Sequence, residues 1–78
     1  MIRLRVKETA QEKSISQGKL QRRADVDIKT IRKIYRNPYT IITTETLAKL
    51  AKALGVPSSE LIEDVPDEEA LRAGTDEE

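Results

Sequence analysis

Apolar side chains recur along this chain at spacings of three and four, the period of an α-helix that buries one side. Val6, Thr9, Ala10 and Lys13 stack in this way while Gln11 and Glu12 point outward, which predicts a first helix over residues 5–13 that Ser14 ends. Leu20 and Ala24 form the buried side of a second helix, Gln17–Ala24, and leave Lys19, Arg22 and Arg23 outside. Ser16 is a good N-cap for it, and Ile15, just before the cap, is placed to pack against Leu20 as a hydrophobic staple. Ile28, Ile31, Ile34 and Tyr35 mark a third helix, Ile28–Arg36, whose other sides carry Lys29, Thr30, Arg32, Lys33 and Arg36. It ends at Asn37-Pro38, because the residue before a proline is driven out of helical space. Leu47, Leu50, Ala51 and Leu54 define a fourth helix, capped by Thr43 or Thr44 and stopped by Gly55. A last short helix over residues 59–63, capped by Ser58, brings Leu61 and Ile62 to the core.

The stretches that break this period carry their own signals. Met1 to Val6 alternates apolar and basic residues, which fits a short extended segment as well as the lead-in to a helix. Between the second and third helices, Asp25 tolerates a left-handed backbone, Val26 is apolar enough to dip into the core, and Asp27 can cap the third helix. Residues 37–43 form an irregular connector that is unusually apolar for a loop, with Tyr39, Ile41 and Ile42 close together. Residues 64–78 hold seven acids and only Val65, Ala70, Leu71 and Ala73 for burial, so this acidic tail is expected to lack order. The chain thus divides into a domain over residues 1–63 and a tail over 64–78.

Composition narrows the class. A chain of 78 residues holds one small domain, since a second core needs roughly 50 residues of its own. With Tyr35 and Tyr39 as its aromatics and Leu, Ile, Val and Ala supplying the rest, an all-α fold is favoured over a strand-rich sandwich. The chain has no cysteine and no histidine, which excludes disulfides, thiolate and imidazole metal sites, and Cys or His catalysis. No run approaches the roughly 18 apolar residues of a membrane span. Arg3, Arg5 and Lys7 stand where a signal peptide needs an apolar block, so the expected location is the cytoplasm, with no membrane partner. Net charge is zero but segregated: residues 1–37 hold eleven basic residues and four acids, +7, and residues 38–78 hold three and ten, −7. Surface potential follows charges within about 8 to 10 Å, so the basic half can present a field that the whole-chain balance conceals.

A spaced set of residues resembles the Cro/phage-repressor-type helix-turn-helix domain, the XRE-like family. The set comprises the opening Ile15-Ser16-Gln17, Leu20, the run Ala24-Asp25-Val26-Asp27, Lys29-Thr30-Ile31 with Ile34, and the block LAKLAKALGV at 47–56 followed by Pro57, Ser58, Glu60 and Leu61-Ile62. The resemblance implies a compact five-helix, lambda-repressor-like domain that binds double-stranded DNA, its third helix in the major groove and its second across the backbone. It places the base-reading positions on Ile28, Lys29, Thr30 and Lys33, with Arg32 flanking them. Lysine donates to guanine O6 and N7, threonine hydrogen-bonds or offers its methyl to thymine, and Ile28 either touches a thymine methyl or joins the core. The family's phosphate contact at the start of the second helix falls on Gln17, and Lys19, Arg36, Asn37 and Tyr39 are further phosphate candidates around the rim. Two positions depart from the family pattern. Gln21 stands where alanine is usual, so it either angles outward or widens the contact between the two helices, and Asp25 stands where glycine is usual in the turn.

These features point to a small prokaryotic or phage-type transcriptional regulator, a repressor that binds as a homodimer and resides with the nucleoid. Two other readings compete with it. One is an autoregulating antitoxin whose acidic tail binds a toxin. The other is a protein-interaction module that keeps the bundle without DNA contact. Tyr39, Ile41 and Ile42 either plug the gap beneath the third and fourth helices or face DNA, and this loop or the Met1–Val6 segment could instead form a dimer surface. The acidic residues are solvated, screen the basic side, or dock on a partner. Paired acids such as Glu63-Asp64 and Glu68-Glu69 lack a pocket that would tune their pKa or fix a ligand, so no enzyme activity, metal or cofactor is expected.

Overall fold

Six side chains, Val6, Leu20, Ile31, Ile34, Leu50 and Leu61, are the largest ones withdrawn completely from water. They come from five of the eight elements of the chain, the first four helices and a 3-10 turn. The computed structural model describes residues 1–72. In order these are β1 (Ile2–Leu4), α1 (Val6–Glu12), α2 (Gln17–Ala24), α3 (Ile28–Arg36), α4 (Thr44–Leu54), a 3-10 turn (Ser58–Leu61), β2 (Ile62–Asp64) and α5 (Asp67–Arg72). The fold is therefore mostly helical, with one small strand pair.

The caps expected for α2, α3 and α4 all form. Ser16 Oγ accepts from the Lys19 N–H (3.2 Å), Asp27 Oδ1 from the Lys29 N–H (2.9 Å) and Thr43 Oγ1 from the Thr46 N–H (3.1 Å). α1 is one residue shorter at each end than its apolar spacing suggests. Its end is a Schellman turn in which Ser14 takes a left-handed φ of 56° and the Ile15 N–H reaches back to the Ala10 carbonyl (2.9 Å). Gly55, at φ 71°, ends α4 in the same way, with the Val56 N–H bonded to the Ala51 carbonyl (3.1 Å).

The structure departs from the sequence expectations around the strand pair. Residues 1–4, which fitted either an extended segment or a helix lead-in, form an edge strand, with Ile2 opposite Asp64, Arg3 opposite Glu63 and Leu4 opposite Ile62. The helix expected over 59–63 is instead the 3-10 turn, and Ser58 lies within it, with Pro57 at the cap position making no side-chain cap. The physical reason is competition for Ile62: its backbone pairs with β1, which a helical residue cannot do. The expectation of an unstructured stretch from residue 64 is also overturned over residues 64–72. Val65 is buried and its N–H bonds to the Met1 carbonyl (2.9 Å), while α5 seats Ala70 with no exposure at all. A few well-placed apolar residues and strand pairing offset the ordering entropy that acidic composition alone did not. Residues 73–78 lie outside the described residues.

On the outer face of the ribbon Arg3 bridges the elements. Its guanidinium pairs with Glu8 on α1 and, at 3.3 Å, with Glu63 on β2. The hydrogen bond to Glu8 is the first cause raising the Arg3 pKa. Burial works to raise the Glu8 carboxyl, but a hydrogen bond from its own backbone and the nearby Arg3 and Arg5 outweigh it, so Glu8 lies below its ordinary value.

Candidate nucleic-acid interface

The turn between α2 and α3 sets how the two helices meet. Asp25 adopts φ 56°, ψ 47° and its N–H bonds to the Gln21 carbonyl (2.9 Å), closing α2. This left-handed step is what glycine usually supplies, and aspartate is among the few other residues that take it at modest cost. The chain then reverses so that Val26, 9% exposed, drops into the core, and Asp27 opens α3. Gln21 is half-buried.

α3 is held from beneath by Ile31 and Ile34, 0% and 2% exposed, and from the side by Ile28 and Tyr35, which pack against the core while remaining half-buried. Burial pushes the Tyr35 phenol above its ordinary pKa. Lys29, Arg32, Lys33 and Arg36 are all exposed. Their offsets of three, four and seven residues fall within one stripe at about 100° per residue, opposite Ile31 and Ile34. The stripe runs along about 10 Å of helix at 1.5 Å per residue, and α3 contains no acid to neutralise it. A helix with such an exposed basic side has the dimensions that enter a major groove about 12 Å wide.

The other predicted residues separate into groups. Thr30 is half-buried on the flank of the stripe. Gln17 is the first helical residue of α2, next to the Ser16 cap, so that its amide and that of Gly18 lie at the positive end of the helix, where a helix has no internal acceptor for them. Asn37 is partly committed, because its Oδ1 accepts from the Tyr39 N–H (3.0 Å) in the turn that follows α3. Tyr39 is half-buried and lines an apolar groove with Ile41 and Ile42. Lys19 faces a different neighbourhood, a shallow groove of about 530 Å³ where it joins Lys13, Arg23 and Lys52. Sequence reasoning missed this second basic grouping, because Lys52 arrives from α4, 29 residues from Arg23, and no local spacing announces it.

Two helices at a fixed turn, an exposed basic stripe on the second and a capped N-terminus on the first define a helix-turn-helix DNA-binding domain. The comparison with protein families names the kind. The model of the Cro/C1-type HTH DNA-binding domain matches residues 5–67, and the chain belongs to that family. Comparison with curated proteins gives no match. DNA binding follows from the family, with regulation of transcription as its usual setting. Among the described residues, no helix is long and apolar enough to cross a membrane.

Proposed function

We propose that the protein is a sequence-specific repressor of transcription that inserts α3 into the major groove of duplex DNA. The exposed stripe on α3, opposed by fully buried Ile31 and Ile34, carries this reading. Lys29, Thr30 and Lys33 read base edges, and Arg32 flanks them. Ile28 contributes its half-exposed part to a thymine methyl while anchoring α3. Gln17 and Arg36 hold phosphates on either side of the groove, with Lys19, Asn37 and Tyr39 as outer contacts. Two copies on adjacent half-sites, one helical turn apart, supply the specificity that one domain lacks. The protein then works in the cytoplasm, on the nucleoid. The antitoxin reading asks for an acidic tail that binds a toxin; over residues 64–72 the tail seats Val65 and Ala70 on its own domain and keeps Asp64, Asp67, Glu68 and Glu69 exposed.

Selection from a pool of randomised duplexes at low salt tests the reading. One sequence motif repeated as a palindrome should be enriched, and a Lys29→Ala, Lys33→Ala double variant should lose discrimination by roughly 1 to 3 kcal/mol for each base contact removed. Equal affinity of wild type and double variant for the enriched duplex sinks the base-reading assignment. Failure to enrich any duplex returns the lead to a protein-interaction module.

A further inference from the structure

The structure brings together two stretches that are far apart in sequence, the start of β1 and the apolar connector after α3. Between them lies an open groove of about 530 Å³ lined by Ile2, Tyr39, Ile42, Leu47 and Ile62, with Ile41 standing at its border. The register of the ribbon makes one wall. Leu4 and Ile62 are cross-strand partners, so Ile2, two residues from Leu4, shares their face. The Leu4 N–H bonds to the Pro38 carbonyl (2.8 Å), which fixes the connector against the outer edge of β1 as the other wall. Ile41 is 95% exposed, and Ile2 and Ile62 are 46% and 36% exposed.

We propose that this groove is where a second copy of the chain docks, the Ile41 side chain of each copy entering the groove of the other. Three observations select that occupant. No Asp, Glu, Lys or Arg side chain lines the groove, although such residues make up 36% of the chain, and the terminal ammonium of Met1, which also lines it, is paired with Asp67 (2.7 Å). A two-fold contact sets each patch against its own likeness, so it favours a face without charge, whereas nucleic acid or a charged peptide needs an opposite charge there. The patch also holds both parts of a reciprocal fit, a projecting isoleucine and an apolar recess beside it. Finally, it starts two residues beyond the Asn37 cap of α3, so pairing there joins the two DNA-reading helices edge to edge. Residues 73–78 of the same chain offer no large apolar side chain to fill it. The inference deepens the DNA-binding reading by supplying the contact between half-site readers.

The test compares wild type with Ile41→Glu by sedimentation equilibrium and by concentration-dependent amide chemical shifts. Ile41 lies outside every helix and strand and is almost wholly exposed, so the variant should keep the circular dichroism and melting temperature of wild type. Wild type should dimerise with shift changes confined to the groove residues, and Ile41→Glu should weaken dimerisation by roughly a hundredfold, the effect of losing a central apolar anchor. Binding to a single half-site should be equal for the two proteins, and only wild type should bind a palindrome cooperatively. A wild type that stays monomeric both in solution and on a palindrome, shift changes on another face, or an Ile41→Glu variant that dimerises normally each overturns the proposal, and a monomer would give the groove to a different protein. Loss of half-site binding in both proteins, with dimerisation intact, counts against the DNA reading alone and leaves the groove assignment standing.

Discussion

Replacing Asp25 separates the backbone demand of the helix-turn-helix from the chemistry of its side chain. Asp25 holds φ 56°, ψ 47°, a conformation that costs a residue with a Cβ roughly 1 to 2 kcal/mol, somewhat less for aspartate. Its side chain is exposed, so substitution removes little packing. Asp25→Gly relieves the steric cost but enlarges the entropy of the unfolded chain by roughly 0.5 to 1 kcal/mol, and should lie at or slightly above wild type in stability. Asp25→Ala keeps the Cβ and loses the polar group that eases the conformation, and should lie about 1 kcal/mol or more below the glycine variant. For a domain of this size each kcal/mol moves the melting temperature by roughly 4 to 8 °C, within easy reach of thermal unfolding followed by circular dichroism. The order expected is glycine at or above aspartate, then alanine. An alanine variant as stable as the glycine variant would refute the claim that this turn demands a left-handed residue.

Further measurements address other links of the argument. Arg36→Ala should weaken binding to all sequences alike and flatten the dependence of log K on log salt by about 0.9, the effect of one lost phosphate contact; a sequence-dependent loss would reassign it to base reading. Glu8 has a depressed pKa in the folded state, so its contribution to stability is present above its ordinary value of 4.5 and is lost as pH falls below that value through the folded pKa. The stability gap between wild type and Arg3→Met should therefore be widest near neutrality and narrow on acidification, and a gap unchanged at low pH would show that Arg3 acts through packing alone. Val65→Ala removes two buried methyl groups and should cost about 1 to 2 kcal/mol in urea unfolding. A neutral result would mean that the chain beyond Glu63 does not dock in solution.

Much of the helix-turn-helix was legible because each of its signals is local. Ser16 and Asp27 are caps whose acceptor lies two or three residues from its donor, and Ile28, Ile31 and Ile34 repeat within a single helix. The exposed stripe of α3 follows from the same arithmetic. What escaped the sequence depends on partners far along the chain. The strand Ile62–Asp64 shows no apolar alternation and is exposed at all three positions, so only its pairing with residues 2–4 makes it a strand. The burial of Val65 and Ala70 in an acidic stretch likewise depends on a surface that other elements build. Ile28 and Tyr39 remained open between two roles in the sequence. Ile28 proves to pack against the core while half-exposed, and Tyr39 to line the apolar groove. Lys19, a candidate phosphate contact in the sequence, also lies beside Lys13, Arg23 and Lys52, a neighbourhood set by the packing of α2 on α4.

The ribbon of β1 and β2 also bears on the order in which the molecule assembles. Arg3 and Glu63 lie 60 positions apart, so joining the strands closes a loop that spans nearly the whole domain, at an entropic cost that grows with the logarithm of its length. The contacts within and between successive helices close much shorter loops and form earlier on that account. The ribbon is then the last part to close and the first to open. Amide protons at Arg5 and Val65, which bond across it to Leu61 and Met1, should exchange with solvent through sub-global opening while those of Ile31 and Leu50 wait for global unfolding.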